Sequence, residues 1–106
     1  MIRHIVFFTA RDAGDIDAIV DGLELLGTIP HSQHFEVRRN GKLDQIGNDV
    51  DVVVYAEFAD ETALAAYKAH PIYAEATRLV RPLREMRLAA DFMADDVKAM
   101  RLKRSA

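Results

Sequence analysis

IRHIVFF (residues 2–8) and VDVVVYAEF (residues 50–58) are the two stretches whose side-chain alternation decides the fold. Side chains of a strand point alternately to its two faces. In the first stretch Ile2, Val6 and Phe8 share one face with His4, and Ile5 and Phe7 lie on the other. The second, with Val50, Val52, Val53, Val54, Tyr55 and Phe58, is also apolar on both faces near its centre. A half-solvated strand keeps one face polar, so both strands are expected to be covered on both sides.

Between them, Asp12, Gly14 and Asp15 mark a turn with Asp15 as candidate N-cap. Ile16, Ile19, Val20, Leu23 and Leu26 follow at helical spacing, Gly27 suits the stop, and Pro30 bars resumption. Residues 33–39 alternate Phe35 and Val37 with His34, Glu36 and Arg38, which predicts a second strand. Asn40-Gly41 starts a turn, but the stretch to Asp49 is too long for a tight hairpin and is expected to be a flexible loop. Beyond the third strand, Asp60 caps a helix containing Leu64, Ala65, Tyr67 and Lys68. His70-Pro71 breaks it, since a residue before proline avoids helical geometry, and Pro71 opens a second short helix that ends by Pro82. Residues 84–92 form the last strand, with Met86, Leu88, Ala90 and Phe92 on one face.

The order is β-α-β-β-α-β, the α+β ferredoxin-like pattern with a four-stranded antiparallel sheet. Its helices cover one face only, so the apolar second face needs another cover. A second copy of the same sheet is the economical one, which predicts a homodimer closing a dimeric α/β barrel.

The chain's 106 residues make one domain, read as residues 2–92 plus a tail over 93–106 in which Val97, Met100 and Arg101 are spaced for one helical turn. Cysteine is absent, which excludes disulfides, thiolate metal sites and cysteine nucleophiles. A net charge of −3 gives no global attraction to nucleic acid or anionic membranes, and the basic tail lacks the interleaved aromatics of a single-strand binder. No apolar run reaches membrane-spanning length, and the first residues lack a signal peptide's pattern, so a cytoplasmic protein is expected. There is no Gly-rich phosphate loop and no Gly-x-Ser-x-Gly.

MIRHIVFF, IPHSQHFEVRRN and DVVVYAEFADETALAAYKAHPIYAEATRLVRPL, taken in order over residues 2–92, resemble the stress-responsive dimeric α/β-barrel (Dabb) family. The resemblance implies a homodimer in which two four-stranded sheets face each other. Most members have no established activity, while one plant branch cyclises linear polyketides by aldol chemistry. That branch surrounds its pocket with a first-strand histidine, a second-helix tyrosine and a histidine after the His-Pro step. These positions are His4, Tyr67 and Tyr73 here, so the third holds tyrosine where the cyclase has its base. Plant members also carry magnesium on backbone carbonyls, at positions near Leu26 and Ile29 of this chain.

The residues support two readings of each candidate. His4 is either a buried, hydrogen-bonded histidine or a pocket acid–base group. Tyr67 and His70 share a helix face, and Tyr73 lies just past the break; they are either packing and helix-end groups or a polar cluster at one end of an apolar pocket. His4, Tyr67 and Tyr73 are the candidate ligand-binding residues, and His4, Tyr67 and His70 the candidates for catalysis. His31 and His34 have no carboxylate spaced beside them, and Glu57, Asp60 and Glu61 suit a helix start, so no metal site and no cofactor are expected. The resulting expectation is a homodimer that binds a small apolar ligand. The alternatives are a cofactor-free enzyme (cyclase, lyase or monooxygenase) in a sheet–helix pocket, and a structural dimer module.

Overall fold

A computed structural model describes residues 1–94. Its elements are β1 (Ile2–Ala10), α1 (Ile16–Glu24), β2 (His34–Arg39), β3 (Val52–Phe58), α2 (Glu61–Ala69), α3 (Pro71–Val80) and β4 (Arg84–Met93). All pairings are antiparallel and the strand order is β2-β3-β1-β4. This is the ferredoxin-like arrangement expected, with its second helix divided at His70-Pro71.

The two central strands are the two with apolar residues on both faces. On one face Ile2, Val6 and Phe8 of β1 join Val52, Val54, Ala56 and Phe58 of β3, all buried against Ile19, Leu23, Tyr67, Ala76 and Val80 of the helices. Each large apolar side chain so buried contributes about 1.5–3 kcal/mol. The register puts Ile5 opposite Tyr55 and Ala90, and Phe7 opposite Val53 and Leu88, on the other face. No element of the described chain covers that face, and Leu88 and Phe92 remain 56% and 48% exposed on it.

Local signals explain the helix ends. The Asp60 carboxylate accepts from the Ala63 N–H at 2.9 Å, and Pro71 occupies the first turn of α3, where a missing N–H costs nothing. The first-helix cap differs from expectation: Asp15 makes no capping bond. Asp12 accepts from the Gly14 N–H at 2.9 Å and caps a 3-10 turn at Ala13–Asp15 that leads into α1. Gly27 also serves differently. It sits within a 3-10 turn, Leu25–Thr28, without a positive φ, and a Cβ there would stand 2.9 Å from the Phe35 ring. Close approach to β2 therefore accounts for the glycine. Between β2 and β3 the chain is irregular, and the Asn40 amide closes the neck by donating to the Val50 carbonyl at 2.7 Å. The last strand runs one residue beyond the expected limit, and the Ala94 N–H then donates to the Met1 carbonyl at 2.8 Å. The helical turn expected at Val97–Arg101 lies outside the described residues.

Candidate functional site

On the helix-covered face of the sheet His4 is the one buried polar side chain among the described residues, 2% exposed in the middle of β1. Its alternation with Val6 and Phe8 points it at the helices. There its ring meets Phe58 and Tyr67 edge-on, at centroid distances of 6.1 and 6.3 Å. A buried imidazole needs hydrogen-bond partners. Strand pairing supplies one, because His4 stands opposite Asp91 of β4. Nδ1 lies 2.5 Å from Asp91 Oδ1. An ionised carboxylate only accepts, so Nδ1 donates and Nε2 is left as the nitrogen able to take up a proton.

His4 lines a cavity of about 30 Å³ walled by Val6, Phe8, Leu23, Leu26 and Val54, with Tyr67, Tyr73, Thr77, Arg84 and Arg87 supplying its polar groups. That space suits a water molecule or two, or one small functional group, since a water needs about 10–15 Å³ on this measure. Tyr67 reaches it from the last turn of α2 and Tyr73 from the first turn of α3, their rings edge-on at 5.3 Å. The His-Pro break sets this meeting, turning the chain between the two helices. Burial is the main force pushing the Tyr67 phenol far above its ordinary pKa, with Tyr73 adding to it and Arg87 opposing. Tyr67 is therefore a neutral hydrogen-bonding group near pH 7. The Arg87 guanidinium stands 3.5 Å from the Tyr73 hydroxyl.

The structure thus brings His4, Tyr67 and Tyr73 together and leaves His70 apart. The His70 ring caps α3 through Nδ1, which accepts the Ile72 N–H at 3.1 Å, and packs edge-on against His31 at 6.2 Å. His34 lies away from both, paired with Glu36 at 2.9 Å. Sequence reading missed Asp91, Arg84 and Arg87. The parity of β4 was the signal for two of them: Arg87 and Asp91 alternate with the apolar set Leu88, Ala90 and Phe92, and so face the helices. Arg84 instead shares the parity of Leu88 and lines the cavity beyond the register shift between Phe8 and Ala10. Among the described residues no three His, Asp or Glu side chains converge as metal ligands. The turn after α1 engages two of its carbonyls in local hydrogen bonds. Its Leu26 carbonyl accepts the Ile29 N–H at 3.2 Å and its Leu25 carbonyl accepts the Thr28 hydroxyl at 2.7 Å.

Fold and cavity together define an α+β domain of ferredoxin-like type with a histidine-floored cleft between sheet and helices. The chain belongs to the stress responsive A/B barrel domain (Dabb) family, whose model matches residues 2–94. It is similar to a Dabb family protein of ferredoxin-like fold from Mesorhizobium loti, with 29% identity over 90% of this chain and 97% of that one, and a TM-score of 0.75. A dimeric ferredoxin-like protein of unknown function from Thermobifida fusca is 25% identical over 88% of this chain and 90% of that one, with a TM-score of 0.75. An antibiotic biosynthesis monooxygenase shares 17% identity over 91% of this chain and all of its own length, TM-score 0.69, a likeness of fold alone. No curated protein matches the chain. No helix among the described residues is long and apolar enough to cross a membrane.

Proposed function

We propose that the protein is a homodimer in which each protomer binds a small, mainly apolar molecule, placing a carbonyl or hydroxyl group of that molecule in the His4 cavity. The dimer is supported by the uncovered apolar face and by the dimeric relative. A second observation favours it: Arg3 Nε, on that same face, is buried without a hydrogen-bond partner among the described residues. Buried donors rarely stay unpaired, and a second copy would bring acceptors. The ligand reading is carried by the convergence of His4, Tyr67 and Tyr73 on one cavity in an otherwise apolar wall. A few polar groups fixing orientation within an apolar site is the usual composition of a small-molecule site. At about 30 Å³ the cavity accepts one group of the ligand, and the remaining bulk lies outside it.

The test is a nuclear magnetic resonance titration of the dimer with 2-octanone. Shifts should gather on His4, Tyr67, Tyr73 and Ala76, and Ala76→Val, which adds two methyl groups at the cavity wall, should weaken binding. Shifts scattered over the surface and indifferent to Ala76→Val would defeat the reading.

The His4–Asp91 pair favours a second reading, proton transfer on the bound ligand without a cofactor. Nε2 would accept a proton from the carbon next to the carbonyl, while Asp91 stabilises the imidazolium. Tyr67 is too weak an acid to act as a phenolate base, so the chemistry falls to His4. Exchange of those ligand protons with deuterated water should exceed the buffer rate and vanish in His4→Gln. Exchange at the buffer rate in the native protein would leave binding alone.

A further inference from the structure

We infer that the ligand's outer end carries an oxyanion, a carboxylate or phosphate, held in an arginine-lined groove that continues outward from the His4 cavity. The inference rests on the binding reading above and specifies its ligand. The groove, about 750 Å³, runs along α3 to Pro82. It shares Tyr73 and Thr77 with the cavity, which sets the two side by side. Arg11 and Arg81 line the groove, and Arg84 and Arg87 line the cavity at the shared boundary.

Four guanidinium groups on one short stretch of surface are unexpected in a chain of net charge −3. Clustering like charges costs energy unless something compensates them. Within the described residues no carboxylate does. The ion pairs there engage Arg38, Arg39, Lys42 and Arg78, and leave Arg11, Arg81, Arg84 and Arg87 without a carboxylate. Arg78 also lines the groove, but Glu75 holds it through two hydrogen bonds, of 3.0 and 2.6 Å. Arg11 instead donates Nε to the Arg84 carbonyl at 2.9 Å, which fixes one wall of the groove without spending charge. Burial and the repulsion of Arg87 and Arg81 depress the Arg84 pKa, the mark of a cation short of counter-charge. Arginine offers paired N–H donors that match carboxylate and phosphate oxygens, and the Tyr73 and Thr77 hydroxyls stand where they can add to them.

The experiment compares three probes of one chain length by calorimetry on the dimer: 2-octanone, octanoate and octyl phosphate. Inorganic phosphate, followed through the arginine Nε–H resonances, tests the groove without the cavity. At low salt both anions should bind at least about tenfold more tightly than the ketone, a preference that rising sodium chloride erodes. Arg11→Gln and Arg81→Gln, which line the groove and not the cavity, should each lower octyl phosphate affinity about tenfold and leave ketone binding unchanged. Octanoate matching octyl phosphate would assign a carboxylate, and a clear lead for the phosphate would assign that group. Anions binding no better than the ketone, with inorganic phosphate moving none of these arginines, would overturn the inference while leaving the cavity reading intact. Phosphate shifts on Arg11 and Arg81 without ketone binding would show an anion site in the groove and defeat the cavity reading on which the inference rests.

Discussion

Removing the Asp91 carboxylate should measurably destabilise the fold, although the residue lies at the sheet edge. Asp91 is the hydrogen-bond partner at Nδ1 of a histidine that is itself 2% exposed. A hydrogen bond to a charged group contributes roughly 1.5–3 kcal/mol, and a buried donor left unpaired costs about 1–3 kcal/mol. The Asp91 side chain is 40% exposed, so water can partly replace it and the lower end applies. Asp91→Ala should therefore cost about 1–1.5 kcal/mol, or roughly 4–8 °C of melting temperature per kcal/mol for a domain near this size. Asp91→Asn keeps an acceptor oxygen and should cost less. His4→Phe removes the need for the acceptor, so Asp91→Ala added to it should cost almost nothing, and the double-mutant cycle should return most of the single effect as coupling. Urea unfolding at one fixed protomer concentration reads this, because dimer stability depends on concentration. An Asp91→Ala midpoint equal to that of the native protein would refute the pairing. A full Asp91→Ala penalty in the His4→Phe background would place its cause elsewhere.

Other consequences follow from the packing. Because burial raises the Tyr67 pKa in the fold, the folded state holds that proton longer than the unfolded chain, and stability should fall as pH rises above about 10, the unfolded tyrosine value; denaturant midpoints collected from pH 8 to pH 11 check this, and a flat profile counts against a buried phenol. A Cβ at Gly22 would stand 2.8 Å from Val80 Cγ2, so α1 and α3 must part to admit it. Overpacking of about 1–3 kcal/mol should outweigh the ~1 kcal/mol helix-propensity gain, and Gly22→Ala should melt lower, a higher melting point being the contrary result. Leu88→Glu would bury an unpaired carboxylate twice in a symmetric dimer, at a cost of several kcal/mol per ion, and should shift sedimentation toward folded monomer. An unchanged dimer would remove Leu88 from the interface.

The fold was readable because its decisive signals are local or periodic. Two-sided apolar alternation marked β1 and β3 as covered on both sides, and the Asp60 cap and His70-Pro71 break set the second helical unit. Where reading failed, neighbours in space decided: Asp12 outcompeted Asp15 as cap, and Gly27 answers to a ring on β2. The site divides the same way. His4, Tyr67 and Tyr73 sit on elements whose parity or break is visible in sequence. Asp91 and the arginines of β4 join them through a pairing between chain ends, eighty-seven positions apart for His4 and Asp91. His70 carried two local roles, helix cap and pocket candidate, and its Nδ1 serves the cap.

On the reading proposed above, one sheet face builds the cavity while the other joins two copies. Multi-angle light scattering on native protein at micromolar concentration tests it most directly, since one chain weighs 11.9 kDa. A pair of copies joined in this way gives twice that mass, held on dilution. A folded species at the single-chain mass, with native circular dichroism, would contradict it.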